Sequence, residues 1–590
     1  MGVIPQPLST EPTSGRFLLP REFSVACFGP GAQGVGQTFS ATLASRYDLR
    51  CTLDATATSA SSCAVTLRVE ESATSLEDLP NNDEAFELTV SEAGITIVAL
   101  QPNGLFYGTQ TLFQLIPPGR LEEASDVFID GVKIIDAPRF KWRGTLLDVG
   151  RHFYSTTFVR RFLDILALHK INRFHWHLVE DQGWRLEIKS LAKLTEIGAW
   201  RCKDGEQPYG GYYRQEEIPE IIAYAKERFI EVVPEIELPG HCGAALASYP
   251  HLSCTEEVLE TPTDWGVHED VYCAGKEEVF KFLEIVMSEV CDLFPFEYFH
   301  IGGDECPKLR WRSCEKCQSR IKEQGLSGES ELQSWFISRA SKFLKSRGKK
   351  IIGWDEILEG GIPDEATVMS WRGMLGGLIA AKIGHDVIMS PTNHCYLDYR
   401  QSVSNDEAGA WYAVLPLHQV YAFDPIPSPP TQSAQSSPCQ DEVMEEASSR
   451  EGHENPDEEV VEKQKESSSG ERDLESNNGG NGGGSECKIK ESEGELMAVD
   501  ENSKGNHSKE ALRPLTVEEE KRILGGQANL WTEYVEDEET CEYMLLPRLC
   551  AFAEAVWSPK GSKDWNGFSE RLEVHLKHFD AMGVKYRPLS

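Results

Sequence analysis

The chain of 590 residues has no apolar run approaching the ~18 residues that cross a bilayer, which excludes a transmembrane helix. It is also short of cations, with 58 Lys and Arg against 95 Asp and Glu and a net charge of −37. Nucleic-acid binding needs clustered Lys and Arg, so no nucleic-acid partner is expected. The opening residues Met1-Gly2-Val3-Ile4-Pro5-Gln6-Pro7 lack a basic start and a continuous apolar segment, so no secretory signal is expected. Gln6 stands where Ser or Thr would accompany a myristoylated Gly2. On these grounds the expected location is cytoplasmic, with lysosomal or secreted as the alternative. The 16 cysteines form no compact framework, which fits reduced thiols. Cys314-Glu315-Lys316-Cys317 has zinc-ligand spacing, but no second pair lies at structural-site spacing to complete it, so no metal or other cofactor is expected.

What is present is a large core and a repeating pattern. Hydrophobic residues make up 40% of the chain, enough for a sizeable interior. Residues 1–137 read as a smaller N-terminal α/β domain. Its strand candidates are Ala64–Val69, Ala85–Val90 and Gly94–Leu100, with Asn103 placed to cap a helix from Gly104 to Leu115. From Arg143 onward strand and helix alternate eight times. The strand candidates are Gly144–Val149, Arg173–Val179, Ile230–Ile236, Tyr298–Ile301, Lys350–Trp354, Thr367–Trp371, Asp386–Ser390 and Gly526–Trp531. Amphipathic helices intervene, among them Thr157–His169, Glu216–Arg228, Glu277–Leu293 and Glu331–Ser346. The pattern predicts an α/β fold with a (β/α)8 TIM barrel over 138–590. Residues 428–513 break it with Ser, Pro, Gly, Glu and Asn. Within 441–510 there are 21 acidic residues, 8 basic residues and no aromatic residue. Such a segment cannot bury enough apolar surface to offset its ordering entropy, so a disordered acidic insertion between strands seven and eight is expected.

In this fold the active site sits at the C-terminal ends of the strands. The fourth strand candidate, Tyr298-Phe299-His300-Ile301, runs into Gly302-Gly303-Asp304-Glu305. Adjacent carboxylates raise each other's proton affinity and can divide acid and base roles. The other strand ends carry Asp148 and Arg151, Glu180 and Asp181, and Glu237 and His241. Further along come Trp354 with Asp355, Trp371, Tyr396 with Asp398, and Trp531 with Glu533. A single Asp in such a place is ordinarily a helix cap, and a single Trp ordinarily core. Their convergence on one rim instead implies a polar pocket with aromatic walls, which suits a sugar. His175-Trp176-His177 has the spacing of a two-histidine metal motif, the basis of a metal-dependent hydrolase alternative. Strands five, six and eight end in Trp, where further ligands would be needed.

The strand-end motifs closely resemble the family 20 glycoside hydrolases, the β-N-acetylhexosaminidases. They are Asp148-Val149-Gly150-Arg151-His152-Phe153, His175 to Arg185, Pro234 to His241, His300 to Glu305, Gly353-Trp354-Asp355-Glu356, Tyr396-Leu397-Asp398 and Gly525 to Glu533. Tyr107-Gly108-Thr109-Gln110-Thr111-Leu112 fits the family's N-terminal domain. The resemblance implies an exo-acting retaining hydrolase of terminal β-linked GlcNAc or GalNAc, assisted by the substrate's own acetamido group. By that resemblance Glu305 is the general acid and base, Asp304 orients the acetamido N–H, and Tyr396 its oxygen. Trp354, Trp371 and Trp531 box the acetamido methyl, and Arg151, Asp181, Asp398 and Glu533 bind the sugar. His241, with Glu180 or Glu237, forms a relay to Glu305. The family often has Asp where this chain has Glu180. The expected partner is an oligosaccharide or glycoconjugate, and a homodimer is possible. A catalytically inactive carbohydrate-binding barrel is the non-enzyme alternative, although such a barrel is expected to lose Asp304 or Glu305, and both are present.

Overall fold

A computed structural model of the chain describes residues 2–54, 63–119, 127–202, 207–404, 406–427 and 513–589. The expected acidic insertion, residues 428–513, lies outside the described residues except for Arg513.

The N-terminal domain is a mixed seven-stranded sheet. Its order is Ser9–Leu19, Val127–Asp136, Phe86–Ser91, Gly94–Ala99, Val65–Val69, Glu22–Phe28 and Arg50–Asp54. Helices Ala32–Tyr47 and Pro102–Leu115 meet through stacked Phe39 and Phe113 rings, 5.3 Å apart, and the Tyr47 hydroxyl donates to the Phe113 carbonyl at 2.8 Å. The three strands expected between residues 64 and 100 are present. Asn103 is not the cap: the helix begins at Pro102, whose fixed φ and missing N–H suit a first helical position, and Gln101 precedes it without a side-chain cap.

Eight parallel strands close the barrel. They are Trp142–Asp148, Arg173–His177, Glu231–Glu235, Tyr298–His300, Lys350–Trp354, Thr367–Ser370, Val387–Met389 and Ile523–Leu530. Each lies within a few residues of its expected position. Burial on both faces explains their near-continuous apolar character. The first strand is buried at all seven positions. Helix Thr156–Leu168 follows it, started by Ser155, whose Oγ accepts the Phe158 N–H at 3.1 Å.

Buried ion pairs lock the two domains together at the start of the barrel strands. Arg143 donates to Glu84 at 2.7 and 3.2 Å and to the Tyr107 hydroxyl at 3.2 Å. Lys170 Nζ lies 2.9 Å from Asp136, which also accepts the Trp557 indole N–H at 2.9 Å. This places Tyr107 of the N-terminal motif in the domain junction.

One expectation is corrected by the loops. Cys314 and Cys317 do have companions: Cys254 and Cys273, from the loop after the third strand, bring all four sulfurs within 4.8 Å of one another. The second pair is not a local motif, since a long loop separates its members.

Candidate active site

The turn after the fourth strand sets the geometry. Gly302 and Gly303 take φ of +66° and +96°, followed by Glu305 at +41°. A Cβ on Gly302 would lie 1.7 Å from Glu237 Oε2, so this turn requires glycine. The turn brings Asp304 and Glu305 within reach of His241, itself left-handed at φ +46°. Non-glycine residues held in this region cost energy that the surrounding structure must offset, and they concentrate at functional sites. His241 Nε2 stands 3.4 Å from Glu305 Oε2 and 3.7 Å from Asp304 Oδ2. Its Nδ1 faces Glu180 Oε1 at 2.8 Å and Asp181 Oδ2 at 3.2 Å. One imidazole thus joins two carboxylate pairs.

Of the two relay candidates, Glu180 makes the contact. It also meets Arg151 Nη2 at 3.2 Å and His177 Nε2 at 3.1 Å. Glu237 lies beneath Gly302, and its carboxyl oxygens have no hydrogen-bond partner among the described residues. Burial, Asp304 and Glu235 push the Glu237 carboxyl well above the ordinary range. Asp181 departs from the expected sugar-binding role. It is buried, accepting the Gly243 N–H at 2.7 Å and facing His241, because its turn points it at the loop after the third strand.

The opposite wall is built on Arg151. Asp148 at 3.4 Å, Glu180 at 3.2 Å and Glu533 at 3.7 Å hold its guanidinium, whose carbon lies 5.1 Å from the Trp531 ring centroid. Asp148 accepts the N–H groups of Gly150 and Arg151 at 2.9 and 3.1 Å, and that of Thr532 at 3.1 Å. It thereby ties the first strand's end to the eighth's. Trp354 and Trp531 lie 5.8 Å apart, while Trp371 stacks on Tyr396 at 6.2 Å. The Trp371 indole donates to Glu356 at 2.8 Å and the Trp354 indole to Glu235 at 3.0 Å, which fixes both ring planes. Asp304 Oδ1 and Asp398 Oδ1 are buried and accept no hydrogen bond among the described residues.

Burial pushes Asp304 up to about 7, with Glu305 and Glu235 adding to the rise and His241 opposing it. Burial would raise Glu305 as well, but the His241 hydrogen bond and charge, with Arg151, bring it below its ordinary value. Within the pair, burial thus favours the neutral form of Asp304, and His241 the ionised form of Glu305. Burial disfavours the His241 cation, but Glu180 and Asp304 overcome this and raise its pKa well above the ordinary value. Burial and Glu533 likewise raise Asp398.

Sequence reasoning missed the support beneath the site. Glu235, at the end of the third strand, is fully buried. His175 Nε2 lies 3.0 Å from it, His300 Nδ1 2.6 Å, and His177 Nδ1 is also bonded to it. Burial would raise the Glu235 carboxyl, yet His300, His177 and His175 bring it well below the ordinary range. The alternation of His175 and His177 was the available signal, since period-two residues share a strand face. Both histidines turn onto Glu235, and Trp354, Trp371 and Trp531 occupy the strand ends where further metal ligands would be required. A cleft of about 840 Å³ lies elsewhere, lined by Thr38, Tyr107, Glu231 and Phe296 among others. It touches none of the strand-end carboxylates.

The barrel thus carries a carboxylate pair at its fourth strand's end, with Trp354, Trp371 and Trp531 at the ends of the fifth, sixth and eighth strands. The pattern of "Glycosyl hydrolase family 20, catalytic domain" matches residues 140–447 and 476–560, and that of the family's domain 2 matches residues 1–137. A β-hexosaminidase of Porphyromonas gingivalis is 40% identical over 513 residues, 86% of this chain and 55% of its own length. The chain thus spans little more than half of that relative. The Vibrio harveyi GH20 exo-β-N-acetylglucosaminidase, solved with N-acetylglucosamine, superposes with a TM-score of 0.77 at 29% identity. That match covers 100% of this chain and 78% of the Vibrio one. A mutant Streptomyces plicatus β-hexosaminidase, solved with its product GlcNAc, gives 0.75 at 26% identity, covering 100% of this chain and 96% of the other. The chain belongs to glycosyl hydrolase family 20.

Proposed function

We propose that the chain is an exo-acting, retaining β-N-acetylhexosaminidase that releases terminal β-linked GlcNAc or GalNAc from an oligosaccharide or glycoconjugate. The observation that carries this reading is the buried Asp304 Oδ1, which has no donor among the described residues and lies beside Glu305 and the aromatic walls. It calls for a ligand N–H, and the 2-acetamido group supplies one. Trp354, Trp371 and Trp531 cover the acetamido methyl, and the Tyr396 hydroxyl orients the acetamido oxygen. Arg151, Glu533 and the unpartnered Asp398 oxygen take the hydroxyls of the terminal sugar.

These tendencies in the free pair run against what the chemistry needs, and bound substrate opposes both. An amide N–H on Asp304 favours its ionised form. The Glu305 side chain, 41% exposed in the free site, is shielded from water by the bound glycoside, which favours its protonated form. His241 Nε2, within 3.7 Å of both carboxyls, is placed to relay the proton between them. The acetamido oxygen then attacks the anomeric carbon as Glu305 protonates the leaving oxygen. An oxazolinium ion forms, its positive charge stabilised by Asp304. Glu305 next removes a proton from the incoming water, which opens the ring and restores the original anomeric configuration.

The test uses a chromogenic β-GlcNAc glycoside, its analogue lacking the 2-acetamido group, and a thiazoline mimic of the oxazolinium ion. Turnover of the first, far slower reaction of the second and competitive inhibition by the third are expected. Trapping the sugar as an ester on a carboxylate of the chain would overturn the mechanism.

A further inference from the structure

Outside the carbohydrate site, four cysteines form a cluster with the shape of a metal centre. Cys254 and Cys273 come from the loop after the third strand. Cys314 precedes helix Glu315–Gln324, and Cys317 lies in its first turn. Sγ of Cys273 lies 3.6 Å from that of Cys317 and 3.7 Å from that of Cys314, and Cys254 Sγ lies 3.8 Å from that of Cys317. Zinc–thiolate bonds of about 2.3 Å in a tetrahedron put neighbouring sulfurs about 3.8 Å apart. A disulfide would require about 2.05 Å. We propose that Cys254, Cys273, Cys314 and Cys317 hold one structural zinc ion.

The surroundings suit a thiolate centre. The Gly275 backbone amide hydrogen-bonds Cys273. The N-terminus of helix Glu315–Gln324 adds its partial positive charge beside Cys314 and Cys317. A Cβ on Gly275 would lie 2.2 Å from the Lys316 carbonyl carbon, so the two loops touch backbone to backbone there. Four thiolates around Zn²⁺ leave two negative charges. Lys276 and Lys316 stand close by; Lys276 is buried and donates to the His251 and Ser253 carbonyls at 2.8 and 2.6 Å, and both lysines meet Glu256, at 2.7 and 3.4 Å. Each Zn–S bond replaces an S–H bond, so binding releases up to four protons to solvent.

The position gives the ion a task. It would staple the loop that begins at His241 to the segment that begins at Asp304 and Glu305. Residues 254–273, closed by the staple, carry Trp265, whose ring lies 5.5 Å from that of His152 and 5.0 Å from the Arg201 guanidinium. The Asp264 carbonyl in the same loop accepts from Gln182 at 2.7 Å.

The untagged full chain, dialysed into metal-free buffer, is analysed for metal by mass spectrometry, with free thiols titrated in parallel. About one zinc per chain is expected, bound by four sulfurs at about 2.3 Å in X-ray absorption. Cobalt substitution should give the thiolate charge-transfer bands of a tetrahedral site. Cys273→Ser and Cys317→Ser should each lose the zinc. Cys550→Ser should keep it, although Cys550 lies in a separate cluster with His169 and His575. The wild-type metal content and absorption spectrum decide the matter even where a serine variant fails to fold. A metal-free protein with these four thiols free after zinc-supplemented expression, disulfides among them, or zinc lost from Cys550→Ser but kept in Cys273→Ser would overturn the proposal.

Discussion

Replacing Glu180 with Gln removes one charge and almost no volume from the centre of the relay. A unit charge about 4 Å away, at an effective dielectric of about 20, is worth about 4 kcal/mol. His241, with Nδ1 2.8 Å from Glu180, loses support of that order, and Asp181 at 3.2 Å replaces only part of it. A less cationic His241 restrains the acid pair less. Losing positive charge makes a carboxyl harder to ionise; removing Glu180 also removes its own upward push on Asp304, but that influence is smaller than His241's, so Asp304 rises above its value of about 7. The alkaline limb of kcat/KM, which reports the free enzyme, should therefore move to higher pH, with a plateau about 10²–10³-fold lower. The fold should survive, because Arg151 keeps Asp148 and Glu533 while His177 keeps Glu235. Glu237→Gln is the control: the Glu237 carboxyl makes no hydrogen bond to His241 among the described residues, so its limb should stay where the wild type has it. The assay is kcat/KM on an aryl β-GlcNAc glycoside across the pH range, with thermal unfolding alongside. A wild-type limb in Glu180→Gln together with a displaced limb in Glu237→Gln would refute the reasoning.

Glu305→Gln should lower kcat by about 10²–10⁴-fold on substrates with poor leaving groups and much less on activated aryl glycosides. Equal losses on both, in paired steady-state assays, would remove Glu305 from the acid role. Excising residues 448–475, the stretch that the catalytic-domain match skips, should leave turnover of a small neutral substrate within about twofold, since halving a loop changes its closure free energy by only about 0.6 kcal/mol. Collapse of folding or activity in that variant would make the segment structural.

The barrel was legible because its strands are buried on both faces and therefore read as apolar runs at regular intervals. The rim was legible for a related reason: a polar residue directly after such a run has little to do in a core. The choice between Glu180 and Glu237 was not legible. Both follow strands at similar offsets, and only the turn at Gly302 shows which one meets His241. Asp181 misled because a strand-end carboxylate can face the pocket or the neighbouring loop. Cys254 and Cys273 escaped notice because their pairing is made by the path of a long loop. In the N-terminal domain, Ser9–Leu19 gave little signal because it is a largely solvated edge strand.

The Glu235 cluster has a consequence for where this protein is hardest to unfold. Folding binds Glu235 in its charged form with a depressed pKa, so its contribution is complete above the ordinary carboxyl value of 4.5 and is lost as pH falls through the folded value. His177 runs the other way: burial opposes its cation, but Glu235 prevails and raises it to about 10. Its contribution is complete below the ordinary imidazole value of 6.5 and is lost as pH climbs through about 10. The Glu235–His177 ion pair is therefore at full strength in mildly acidic solution, while His175, which burial pulls down to about 4, contributes fully above 6.5 and loses that contribution as pH falls through about 4. One buried carboxylate thus holds two histidines of opposite pH response, and a series of melting temperatures against pH in Glu235, His175 and His177 variants would separate them.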